Sequence, residues 1–253
     1  MSIKRILCIG DSWTALGHNV LQNELRKHGD KFLVSAVPQS GSTAQMWASN
    51  PFALKQAIYN APDAQIIWLS VGGNDITHKF MQGFTKETGM PVIERDIETI
   101  LDVIIDTAPN AKIVHFGYDF PTFPPAMLQI FNQSSQSVNQ VMIDFSAMIK
   151  KVSQKQKYIN KFFTVEMTGT LQRAGNIPNV PNFTVGSPQE FMNDPIHPNQ
   201  RGFQILMSRF WDQFLNAELS GVNVAKQETS KNVDELSEEE LLQLALEMSK
   251  EQQ

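Results

Sequence analysis

Five short runs of apolar residues recur along the chain, at 6–9, 32–37, 66–71, 113–116 and 162–165. Each has the length of a strand and little polar alternation, the pattern of strands buried on both faces of a parallel sheet. Segments with helical spacing lie between them. Trp13, Leu16, Val20, Leu21 and Leu25 share one face of a first helix. Ile97, Ile100, Leu101 and Ile104 share a second, and Val138, Val141, Met142, Phe145 and Ile149 a third. Strand and helix alternate about five times, which predicts a three-layer α/β domain with right-handed crossovers, closed by a last helix over residues 200–215. Three stretches read as long irregular loops: 77–91, 118–129 with three prolines, and 169–193 with Pro178, Pro181 and Pro188. Loops of that length in a compact domain commonly wall a functional site.

Apolar content falls after about residue 217. The stretch GVNVAKQETSKNVDE has neither period nor core, as expected of a linker. The expected organisation is a domain over 1–217, a flexible linker over 218–236 and a helix over 237–253. Charge follows the same division. The 253 residues carry a formal net charge of −5, yet residues 218–253 alone hold nine acids and three lysines, so the body is close to neutral. No basic patch marks a nucleic-acid partner. The single cysteine, Cys8, lies inside the first apolar run and excludes a disulfide framework or a cysteine zinc cluster. The opening MSIKRILCIGDS lacks the apolar core and cleavage site of a signal peptide. No stretch approaches the roughly 18 apolar residues of a membrane span. A soluble, cytoplasmic protein is expected.

Phosphate-binding glycine loops, HExxH and GxSxG are missing. Four scattered elements are present instead. GDS, Gly10 to Ser12, ends the first apolar run and enters a helix, where backbone donors are unsatisfied and negative charge is favoured. Asp-Ser in that place also reads simply as a helix cap. QSGSTA places Gly41 after the second run, and VGGND places Asn74 after the third; both read as turns, and both can supply uncharged donors to an oxyanion. DPIHPN sets Asp194 three residues before His197, near enough for the carboxylate to fix the imidazole tautomer and free the other nitrogen as a base. All four fall at strand ends or before the closing helix, and ligands of open α/β sheets bind at that edge.

The order and spacing of these blocks, across about residues 3–216, resemble the SGNH hydrolases, also called GDSL esterases and lipases. The resemblance implies a three-layer α/β/α flavodoxin-like fold with about five parallel strands, no cofactor or metal, and an ester substrate. It implies Ser12 as nucleophile, His197 as general base and Asp194 as its orienting group. The Ser12 and Gly41 backbone N–H groups and the Asn74 side chain would then form the oxyanion hole. Trp13 stands where these enzymes usually have leucine, which leaves acyl preference open. Met46, Trp47, Tyr118, Phe120, Phe123 and Met127 could line an acyl or alcohol pocket or could be ordinary packing. His78 could reach substrate, and Asp119 could hold either a substrate hydroxyl or its own loop.

The tail carries a second resemblance. EEELLQLALEMSKE puts Leu241, Leu242, Ala245, Met248 and Ser249 on one helical stripe behind Glu238, Glu239 and Glu240. An isolated helix of that length is marginal in water and calls for a partner. The order of acids, leucine, alanine, serine and a closing acid, Glu251, resembles the ubiquitin-interacting motif, which implies ubiquitin as a partner. Two alternatives remain open: an adaptor with a non-catalytic hydrolase-like domain, and a metabolic esterase whose acidic tail is incidental.

Overall fold

The five apolar runs form five strands of one parallel sheet, in the order β2-β1-β3-β4-β5. The computed structural model describes residues 4–29, 31–81 and 86–220, with 78–81 and 220 described through the backbone alone. Contacts divide the chain into two units, Met1–Leu215 and Asn216–Gln253. Of the second unit, the described part is a helical turn, Asn216–Ser220. Of the linker expected over 218–236, residues 218–220 belong to that helical turn, and its remainder and the expected helix over 237–253 lie outside the described residues.

In the first unit the order is β1 (Lys4–Gly10), α1 (Ser12–Arg26), β2 (Phe32–Pro38), α2 (Ala44–Ala48), α3 (Pro51–Tyr59), β3 (Ala64–Ser70), α4 (Gly73–Met81) and α5 (Lys86–Thr107). It continues with β4 (Lys112–Phe116), α6 (Pro125–Ile130), α7 (Ser135–Ser153), β5 (Phe162–Val165), α8 (Thr170–Ala174) and α9 (Gln200–Phe210). A five-residue π-helical turn, Trp211–Leu215, follows α9.

Neighbouring residues on a strand face opposite layers. On β4, Phe116 packs with Trp68 of β3 and with Phe210 of α9, whereas His115 meets Phe145 of α7. One layer is therefore built on α1 and α9, and the other on α5 and α7. Trp68 is fully buried, and its truncation to alanine would cost about 3–5 kcal/mol.

The sequence expectation fails in part of the loops. The stretch 77–91 is mostly helical, because α4 runs to Met81 and α5 begins at Lys86 with Pro91 inside it. Pro91 removes one N–H from the ladder, but the later turns bury Ile93, Ile97, Ile100, Leu101 and Ile104, and that packing outweighs local preference. The other two stretches hold α6 and α8 amid irregular chain.

The chain leaves β1 first toward β2 and later toward β3, so the carboxyl ends of β1 and β3 flank the point where the winding reverses. That crevice is the expected ligand site of such sheets. Gly10 makes the turn possible there. Its φ is +150°, and an added Cβ would sit 2.0 Å from the Ser70 carbonyl oxygen of β3.

Candidate active site

At the end of β1, Asp11 caps α1 by accepting the Trp13 N–H at 2.9 Å, and Ser12 becomes the first helical residue. The carboxylate of Asp11 is buried and also accepts from the Ser70 and Tyr118 hydroxyls, at 3.0 and 2.6 Å. Burial pushes Asp11 up to about 6, against those three hydrogen bonds and the nearby His197, which pull it down.

The turn before α9 is held by Asp194. Its Oδ1 accepts the backbone N–H groups of Ile196 and His197, both at 2.9 Å, and its Oδ2 lies 2.7 Å from His197 Nδ1. Partial burial raises the carboxyl, but the hydrogen bonds from Ile196 and from the ring and backbone of His197 prevail and hold it below the usual carboxylate range. A carboxylate can only accept, so Nδ1 carries the imidazole proton. Nε2 is left as an acceptor for the Ser12 hydroxyl 2.8 Å away. The spacing of Asp-x-x-His thus does two jobs: one oxygen folds the turn and the other orients the ring. The Thr122 N–H fixes the turn from outside by donating to the Pro195 carbonyl at 2.7 Å.

The second and third sequence elements are joined by side chains. The Asn74 amide donates to the Ser42 carbonyl at 2.9 Å, Asp75 accepts from the Ala44 N–H at 2.6 Å, and Trp47 donates to the Ser42 hydroxyl at 2.9 Å. An amide has two N–H groups, so Asn74, which lines the cleft, keeps a second donor. Gly41 is exposed in the turn just before Ser42. Its φ of +78° demands glycine, while an added Cβ would meet no atom within 4 Å. The role of Asp75 in this clasp went unread in the sequence; the adjacent Asn-Asp pair was its only signal.

A cleft of about 380 Å3 opens from Ser12, His197 and Asn74. Trp13, edge-on to Tyr118 and Phe203, lies beside Ser12. The far wall comes from α6 and α7, with Met127, Leu128, Phe131, Val138, Val141 and Met142. Of the aromatic and methionine candidates, Tyr118, Phe123 and Met127 line this cleft. Phe120 packs on Phe183, and Met46 is half exposed outside the lining. The wall residues of α7 were legible only as a helical stripe. The same stripe continues into the core at Phe145 and Ile149, and periodicity does not reveal where the covering layer stops.

Asp119 lies in the cleft wall with its oxygens already engaged. It accepts the N–H groups of Gly169 and Leu171 at 2.7 Å and of Phe120 at 2.8 Å, so it holds the start of α8. Burial nevertheless pushes it up to about 7. His115 is buried, pushed down to about 4 by burial, and donates from Nε2 to the Val71 carbonyl at 3.0 Å. His18 bonds the Thr14 carbonyl and His28 stacks on Trp211. The side chain of His78 and residues Glu238 to Ser249 lie outside the described residues. No group of His, Cys, Asp and Glu able to hold a metal occurs among the described residues, and no described helix is long and apolar enough to cross a membrane.

The model of the GDSL-like Lipase/Acylhydrolase family matches residues 8–205, more than three quarters of the chain. The chain belongs to that family. It is a serine hydrolase. Similar solved structures include an acetylxylan esterase from Geobacillus stearothermophilus, crystallised as a catalytic mutant. It is 15% identical, with 83% of this chain and 94% of that one covered and a TM-score of 0.60. The acetyl xylan esterase AlAXEase is 16% identical over 82% and 98% of the two chains, with a TM-score of 0.59. LAE5, from the metagenome of Lake Arreo in Spain, is 16% identical over 84% and 95%, with a TM-score of 0.58. At these identities the likeness is one of fold. No curated protein matches the sequence.

Proposed function

We propose that this hydrolase cleaves carboxylic esters through an acyl-enzyme on Ser12. The observation that carries the reading is the chain of contacts from Ser12 Oγ to His197 Nε2 at 2.8 Å and from His197 Nδ1 to Asp194 Oδ2 at 2.7 Å. Ser12 attacks the ester carbonyl and passes its proton to His197. The imidazolium so formed is stabilised by Asp194 and returns the proton to the departing alcohol. Water activated by the same nitrogen then releases the acid. The Ser12 and Gly41 N–H groups and the free Asn74 N–H stabilise the oxyanion, a contribution usually worth about a hundredfold or more per donor. That two of the structures sharing the fold are acetylxylan esterases supports ester chemistry.

Labelling by a fluorophosphonate, read by intact mass, tests this. A single adduct is expected on the wild type and none on Ser12→Ala. A folded wild type that takes no adduct would overturn the reading.

The tail extends the proposal. Residues 237–253 bind ubiquitin through the stripe of Leu241, Leu242, Ala245, Met248 and Ser249, with Glu238, Glu239 and Glu240 at its rim, and so recruit the hydrolase to ubiquitin or ubiquitinated targets in a eukaryotic cytosol, its own or a host's. The support is the sequence pattern. Such a helix binds with a Kd on the order of 0.1–1 mM, and a linker before it raises the effective concentration of the hydrolase at its target. A peptide of residues 237–253 titrated into labelled ubiquitin should shift its NMR signals, and Ala245→Arg should abolish the shifts. Silence at millimolar peptide removes ubiquitin from the account and leaves the esterase.

A further inference from the structure

Tyr118 lies just beyond the end of β4, and its hydroxyl is engaged inside the protein. It donates to Asp11 Oδ2 at 2.6 Å. The Ser70 hydroxyl, 3.0 Å from Asp11 Oδ1 and 3.3 Å from the phenol oxygen, completes a triangle. The Asp11 N–H also donates to the Ser70 carbonyl at 3.0 Å. The ends of β1, β3 and β4 are thus tied to one buried carboxylate, a single residue before Ser12.

The ring of the same tyrosine lies against Gly73, where an added Cβ would stand 2.8 Å from it. Gly73 opens α4, and Asn74 is the next residue. Tyr118 therefore touches the residue before each of two groups that must face one carbonyl, the Ser12 hydroxyl and the Asn74 amide. Trp13 and His115, both edge-on at 5.0 and 6.2 Å, and Phe145 at 6.1 Å hold the ring from other sides. Capping α1 takes only one carboxylate oxygen, Oδ1, and a serine would serve as well. The second oxygen is buried against its preference for water, since burial pushes Asp11 up to about 6, and its partner is the Tyr118 hydroxyl.

We propose that Tyr118 is a positioning residue: through Asp11 on one side and Gly73 on the other, it holds Ser12 and Asn74 at the separation that a tetrahedral oxyanion requires. It transfers no proton, because its hydroxyl is held by Asp11. This rests on the Ser12 acyl-enzyme reading, with Asn74 among the oxyanion donors.

Steady-state kinetics of the full chain on p-nitrophenyl acetate, with fluorophosphonate labelling of Ser12, test it. Tyr118→Phe keeps the ring on Gly73 and removes the link to Asp11, so kcat should fall about thirtyfold, with KM changed by less than about twofold. In an Asn74→Ala background there is no amide left to align, and the same substitution should cost less than about threefold. Equal losses in the two backgrounds would show that Tyr118 only supports the fold and would overturn the proposal. So would an unchanged kcat in Tyr118→Phe. Melting curves accompany each variant. Should Tyr118→Phe fail to fold, Asp11→Ser, which keeps a cap for α1 but is too short to reach Tyr118, is read in the same two backgrounds by the same criteria. A wild type that labels, beside an undiminished Tyr118→Phe, defeats the positioning role alone. A folded wild type that neither labels nor turns over defeats the acyl-enzyme reading and the proposal with it.

Discussion

The two ends of the cleft are built by different physics. At the Ser12 end each polar group has a directional partner: Asp194 holds three atoms of one turn and ring, and Asn74 and Asp75 clasp the segment after Gly41. At the α6–α7 end the side chains are held only by non-directional contact and are half exposed. Positions fixed by hydrogen bonds tolerate little change, because a lost partner leaves a desolvated group behind. An apolar wall can change volume at modest cost. The contacts among Ser12, His197 and Asp194 thus lie at the rigid end and the apolar wall at the pliable one.

The strongest way to break this contrast is Asp194→Asn. The amide presents a donor to His197 Nδ1 and selects the wrong tautomer, so kcat should fall about a thousandfold or more with little change in KM. A loss under tenfold in steady-state kinetics would mean that the turn alone positions the ring. Next is Asn74→Ala, expected to lower kcat about a hundredfold. Because Asn74 also bonds the Ser42 carbonyl, a melting curve must show the fold intact, and unimpaired turnover would remove Asn74 from the mechanism. Leu128→Ala, at the other end, should lower kcat/KM for an ester with a long apolar half about tenfold, mostly through KM, as lost apolar burial does. An equal effect on kcat for every ester would erase the distinction between the two ends.

The smallest effect concerns stability and pH. A histidine held neutral by burial, as His115 is at about 4 against an ordinary 6.5, binds its proton more readily when unfolded. Its contribution is therefore complete above pH 6.5 and is lost as pH falls toward 4. Asp11, pushed up from 3.8 to about 6, acts oppositely: its contribution is largest below 3.8 and is lost as pH rises through about 6. The two nearly oppose each other across one window. His115→Gln keeps a donor for Val71 and removes one of them, so its Tm relative to wild type should climb as pH drops from 7 to 4.5. A constant difference across that range would show that His115 carries no titration.

The same division governs what could be read in advance. Ser12, Asn74, Asp194 and His197 stood out because their motifs are local and sit at strand ends. Asp119 was ambiguous because its partners, Gly169 and Leu171, are some fifty residues away. The helix through Pro91 was hidden because proline and glycine argue against helix locally, while the burial of Ile93 to Ile104 that overrides them is tertiary.

The sequence by itself determined the alternation of strands and helices, since burial on both faces requires unbroken apolar runs and a covering helix requires a period near 3.6. It also determined that serine, asparagine, aspartate and histidine gather at one edge of the sheet, because the parallel topology leaves no other place for residues that follow strands. Only the tertiary structure decided which apolar side chains stay uncovered. Val138 and Ile149 belong to one stripe of α7, yet one faces a cleft and the other the core. That difference is set by how far α6 and the strands reach along the helix, a distance between elements that no local pattern encodes.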